Sequence, residues 1–187
     1  MTLEEMKKKY LGLIEELNPN SEQLTDDPDI AAKQNEVVNQ KMFELAMIKK
    51  IPRYVEMPVT EGDTVTFEDI ERECGNAVFQ LAKVCGVKYT PKASGTVLKI
   101  RETGTAEIDC YVYPERITAK TKDKSYEFEL SPDVLEIMPY GIAADLLKSD
   151  ISAEYGSVYD TEYKSRLQQL DPRYQMNCVF VEGGIDI

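Results

Sequence analysis

The side chains best placed to do chemistry are acidic, and they come in two runs. Thr25-Asp26-Asp27-Pro28-Asp29 gathers three carboxylates ahead of a helix, and Glu68, Asp69, Glu71 and Glu73 gather four more. The first run lacks the ligand spacing and the glycine of a calcium loop, and negative charge before a helix is what its amide dipoles favour. Carboxylate pairs hydrolyse glycosides when one member sits in an apolar pocket that raises its pKa, and the second run is surrounded by charge. Both runs read as structural or solvated. Histidine is absent, which removes the commonest general base and metal ligand. Cys74, Cys85, Cys110 and Cys178 stand apart without a C-x-x-C pair, a pattern of reduced thiols rather than of a disulfide or a zinc site. Phosphate-loop, dinucleotide and nucleophile-elbow motifs are missing. The expectation is a protein that is not an enzyme, with no catalytic residue, no metal ligand and no cofactor.

Charge narrows the partners. Against 34 acidic residues stand 22 basic ones, a net charge of −12. Sequence-neutral nucleic-acid binding needs lysine and arginine to neutralise phosphates, so such a chain repels a polyanion rather than holding it. No apolar run approaches the ~18 residues of a membrane span, and the opening MTLEEMKKKY is charged where a signal peptide needs an apolar centre. No membrane partner is expected. At 187 residues the natural reading is one domain, or one domain with an insertion.

The elements that must position any site begin with two helices. Thr2 and Glu5 form a capping-box pattern, and Leu3, Met6, Tyr10, Leu13, Ile14 and Leu17 follow on one face until Asn18-Pro19-Asn20. The second helix, from Asp27 to Pro52, is the longest. Asp27 caps it, Pro28 occupies its first position, and Ile30, Val37, Val38, Met42, Leu45, Ala46 and Ile48 make its apolar stripe. On this pattern Gln34, Glu36, Asn39, Gln40 and Lys41 fill its outer surface, and the two helices lie antiparallel.

After Pro52 the period falls to two. Val55, Met57 and Val59 alternate with polar residues, Glu61-Gly62-Asp63 turns, and Val65 and Phe67 alternate again, which reads as a β-hairpin. Further strands are expected at 77–84, 87–90, 96–101, 106–113 and 125–130, together a small antiparallel sandwich or barrel. Ser131-Pro132 starts a helix that Pro139 should break or kink, and the pattern resumes over 140–149. A last helix from about Ser152 carries Tyr155, Tyr159 and Tyr163 at four-residue steps, a core stripe or else a subunit interface. The fold class is therefore α+β: an antiparallel helical bundle (1–53 and 131–171), an inserted β domain (54–130) and an extended arm (172–187). In that arm Cys178, Val179, Phe180, Val181, Ile185 and Ile187 are the apolar residues that would meet a neighbour, if the arm is not a strand of its own fold.

Three stretches add to this. N-Q-K-M-F-E-L-A-M-I-K-K-I-P (39–52), E-C-G-N-A-V-F (73–79) and E-I-M-P-Y-G-I-A-A-D-L-L-K-S-D (136–150) resemble the head–tail connector proteins of tailed bacteriophages, also called adaptor or head-completion proteins. In order of elements the resemblance covers nearly the whole chain, and its motifs mark packing positions. What it implies is a structural virion protein made in the host bacterial cytoplasm and placed in the phage neck. There a ring of typically twelve copies binds the portal protein, offers a platform to the stopper or tail-completion protein, and extends the DNA channel. DNA would pass without sequence-specific binding. The net charge of −12 suggests separately that acidic residues of the helices, Glu36 and Glu44 among them, line the wall. Many members are plain helical bundles, and the β insertion departs from them. The alternative is a carbohydrate- or protein-binding β module used for decoration or attachment.

Overall fold

A computed structural model describes residues 1–92, 95–148 and 153–170. The predicted arm, 172–187 with its six apolar residues, lies outside them. The described chain mixes five helices with two three-stranded antiparallel sheets.

Helix α1 (Leu3–Leu13) starts on the predicted capping box: Thr2 Oγ1 accepts from Glu5 N at 3.2 Å, and Glu5 returns the bond to Thr2 N at 2.9 Å. It ends a turn earlier than the sequence suggests. Glu15 takes a positive φ of 61°, so Leu17 is off the helix and Leu11, not Leu13, is buried. Helix α2 (Pro28–Ile48) starts as expected, with Asp27 Oδ1 accepting from Asp29 N at 2.8 Å and Ile30 N at 3.1 Å. Its buried face differs, because Gln34 and Asn39 are inside with Ile30, Val38, Met42, Leu45 and Ala46.

The first sheet has the order β1-β6-β3. Strand β1 (Ile51–Val59) pairs with the central β6 (Gly104–Val112) along its whole length, from Ile51–Val112 to Val59–Gly104. Strand β3 (Val78–Cys85) lies on the other side of β6, with two register shifts. The second sheet runs β2-β5-β4, from β2 (Thr64–Thr66), β5 (Val97–Ile100) and β4 (Tyr89–Lys92). Ile51, Val55 and Val59 of β1 and Ala106, Ile108, Cys110 and Val112 of β6 supply the sheet's share of the core.

The predicted hairpin between 55–59 and 65–67 does not form. Its turn does, closed by Asp63 N to Thr60 O at 3.0 Å, but the turn also donates from Gly62 N to Ile100 O at 3.1 Å. Those bonds direct the chain to β5, so β2 pairs there and β1 pairs with β6. Phe67 opens a helix that local alternation hides, α3 (Phe67–Cys74), which caps on Thr66 and Asp69 and buries Ile70. The predicted strand over 125–130 is also absent. That segment lies along the N-terminus instead, through Leu3 N to Tyr126 O at 3.0 Å, Phe128 N to Met1 O at 3.1 Å and one bridge between Thr2 and Glu127.

Helix α4 (Pro132–Leu147) runs through Pro139 as one element and packs against α1, α2 and α5 (Ala153–Leu170). An interior proline costs about 3 kcal/mol, and the burial of Val134, Leu135, Ile137, Met138, Ile142, Leu146 and Leu147 outweighs it. One contiguous apolar core links these residues to the strands.

Candidate functional site

In the two acidic runs Asp27, Asp69 and Glu71 accept from backbone amides. Asp27 caps α2, and Asp26 accepts from Asn18 at 2.6 Å. Asp69 accepts from Thr66 N at 2.9 Å and from its hydroxyl at 2.8 Å, and these bonds hold its carboxyl below the usual range. Glu71 accepts from Val78 N at 2.8 Å, tying α3 to β3. Asp69 is thus held ionised, not kept as a protonated acid by an apolar pocket.

The densest polar constellation lies where α2, α4 and α5 meet. Lys41 is 12% exposed, and its Nζ reaches Asp145 Oδ2 at 2.8 Å and Glu44 Oε2 at 3.0 Å. The ammonium stands 4.8 Å from the centre of the Tyr163 ring, and the Tyr163 hydroxyl donates to Glu44 at 3.0 Å. Lys148 closes on Asp145 from the far side. Burial alone would lower the Lys41 pKa, but the Asp145 and Glu44 carboxylates outweigh it and hold the lysine above its ordinary value. Burial likewise pushes Asp145 up, and the bonds from Lys148 and Lys41 override it and keep the carboxyl low. Burial pushes the Tyr163 phenol up, and the Glu44 charge adds to that. A lysine held charged is no base or nucleophile, and a carboxylate held ionised is no general acid. The constellation is built to clamp three helices.

The tyrosine stripe splits. Tyr163 is buried, Tyr159 is half-buried with its hydroxyl on Leu13 O of α1, and Tyr155 is 70% exposed beside Val158 at 63%. Within this stripe the exposed apolar surface is at the start of α5, and Tyr163 is engaged inside the chain. Glu36 is exposed and pairs with Arg116 at 2.6 Å, whereas Glu44 belongs to the Lys41 clamp.

Sequence reasoning placed Gln34, Asn39 and Lys41 outside, and the structure puts all three in contacts between elements. Gln34 accepts from the buried Tyr10 hydroxyl at 2.9 Å. Asn39 bonds Ile117 through both ends of its amide, at 2.8 Å each. A signal was present, since Gln34 lies four residues from Ile30 and Val38, and Asn39 three from Met42 and seven from Ala46. Polar residues at stripe spacing are buried ones with partners.

Depressions also mark the surface of the described residues. A cleft of about 760 Å³ lies between α1, α2 and the 118–124 loop, where Lys7, 2% exposed, pairs with Asp123 at 2.8 Å. In the same cleft Asn35 Oδ1 is buried without a hydrogen-bond partner among the described residues. A groove of about 360 Å³ separates β3 from β4. Among the described residues no helix is long and apolar enough to cross a membrane. No family model and no curated protein matches this chain.

Proposed function

We propose that the protein is a structural component of a bacteriophage neck, a connector whose copies form a ring of about a dozen between the portal and the tail. In this reading α1, α2, α4 and α5 make a helical-bundle core, the two sheets make an inserted sandwich-like part, and 172–187 form an arm. DNA passes along the axis without base recognition, and a stopper or tail-completion protein binds the far side of the ring.

The observation that carries the reading is the meeting of the three connector-like stretches. Lys41 of the first pairs with Asp145 of the third. Phe43 of the first stands 5.2 Å from the Tyr113 ring, and Phe79 of the second stands 4.8 Å from it on another side. Residues that resemble a family's packing positions thus serve as packing positions here. The charge of −12 supports a channel lining, because a ring multiplies that field against phosphate. Exposed Tyr155 and Val158 support a surface that a neighbour covers.

The test is native mass spectrometry of the purified chain, alone and with its portal, with negative-stain images of any large species. A small species alone that joins the portal as a ring of roughly a dozen copies is expected. Removing residues 176–187 should abolish that joining and leave the monomer folded. A chain that ignores the portal overturns the reading. The second reading, a carbohydrate- or protein-binding decoration module, is favoured by Tyr54 at 55% and Tyr89 at 38% exposure on the strands; glycan-array binding by the full chain would support it.

A further inference from the structure

The first sheet ends at β3 and the second at β4, and these strands follow one another without pairing. Gly86 turns between them at φ 80°, so close to β6 that a Cβ there would lie 2.2 Å from the Thr105 carbonyl oxygen. The turn stays on β6 while β4 joins the other sheet. The groove this leaves is lined by Leu81, Lys83 and Val84 of β3, by Tyr89 of β4, and by Phe67 and Leu98.

An edge strand leaves a row of N–H and C=O groups open, and natural sheets guard such edges with proline, brevity or charge. Strand β1 carries Pro52 and Pro58, β2 has three residues, and β4 carries Pro91. Strand β3 has eight residues and, among the described residues, pairs with β6 alone; its guards are two register shifts and the single cation Lys83. Of the four edges it is the most open to another strand.

We propose that Cys178–Val181 adds to β3 of the same chain in that groove, as a strand linking the two sheets. The described residues end at Leu170, and seven more (171–177) precede the segment, a span of up to about 25 Å when extended. C-V-F-V has no charge and no proline, and its β-branched and aromatic residues suit a pleated site with apolar walls. Glu182 and Asp186 then follow, acids that suit Lys83. The inference uses only the groove and this segment, so it stands or falls apart from the connector reading.

Hydrogen–deuterium exchange on the full chain, compared with a Val179→Asp, Val181→Asp variant, tests it. Exchange across 79–84 should quicken at least ten-fold in the variant while 104–112 stays unchanged; equal exchange across 79–84 overturns the proposal. If 104–112 also loses protection, the fold has suffered, and carbodiimide cross-linking of the unmodified chain decides. Lys83 joined to Glu182 or Asp186 is the expected product, and tail carboxylates joined only to other lysines overturn the proposal.

Discussion

The side-chain amide of Asn39 and the backbone of Ile117 form a closed two-bond ring: Nδ2 donates to Ile117 O and Oδ1 accepts from Ile117 N, each at 2.8 Å. Ile117 follows the last strand in a segment with no ladder of its own, so this ring anchors the segment to α2. Asn39 is 2% exposed, which leaves no water to replace it. Asn39→Leu should therefore orphan two buried backbone groups and cost about 2–4 kcal/mol. Urea unfolding of the variant checks this, and a loss under 1 kcal/mol would show that the segment finds other partners.

Gly141 in α4 faces Tyr163 of α5. A Cβ there would lie 2.9 Å from Cε2 and 3.0 Å from Cδ2 of that ring, and 3.1 Å from Lys41 Cδ. In an open helix Gly→Ala gains about 1 kcal/mol, but here overpacking reverses the sign, and Gly141→Ala should lose about 1–3 kcal/mol. Thermal unfolding of Gly141→Ala, alone and with Tyr163→Leu, reads this directly. The second substitution, which removes the ring, should recover part of the loss that Gly141→Ala adds.

These two positions show what a linear reading reaches. Asp27, Thr2 and the limits of β3, β5 and β6 were legible because caps and short alternating runs are local. The partner of β1 was not, because pairing with β6 across some fifty residues leaves no local trace, whereas the Gly62 turn imitates a hairpin. Pro139 misled in the same way: its cost is local and its compensation is burial against three helices. Lys41 looked like surface because its partner Asp145 lies more than a hundred residues away. The capping role of Asp27 in the first carboxylate run was legible, since a cap is a local device, whereas Glu71 of the second run was read as solvated and instead accepts from Val78 N.

Acid should act through Asp145. Its carboxyl is held low, so its contribution is complete above about pH 4, the ordinary carboxylate value, and is lost as pH falls through the lower folded value. Lys41, held high, keeps its contribution at every pH below the ordinary lysine value of about 10.4 and loses it only above. Asp145→Asn should lower stability near neutrality by about 2 kcal/mol or more, because Lys41 then lacks one of its carboxylates. The two curves should converge as pH falls to about 2. Denaturant melts across that range test this; an offset that persists unchanged into acid would assign the loss to packing.

Cys110 should be chemically silent. Burial, with the Cys74 thiol beside it, pushes its pKa up to about 11, so at pH 8 about one thiol in a thousand is ionised. Alkylation with iodoacetamide followed by peptide mapping should mark the half-buried Cys85 and leave Cys110 unmodified until urea is added. Labelling of Cys110 in the folded chain would reveal an opening of β6.

Glu36 and Glu44 carry the channel hypothesis unequally. The Glu36 partner Arg116 is exposed, as Glu36 itself is, and an exposed pair contributes about 1 kcal/mol at most, so Glu36→Lys should leave folding nearly intact. Glu44 takes the Lys41 ammonium and the Tyr163 hydroxyl, so Glu44→Lys sets two cations together against a buried ring and should destabilise the α2–α5 contact. Circular dichroism melts separate these outcomes before any assembly is attempted. With its fold preserved, Glu36→Lys then tests function: a ring whose lumen repels phosphate should pass or retain DNA less well when the sign is reversed at this position in every copy. Unchanged phage titres with a folded Glu36→Lys would remove Glu36 from the lumen wall.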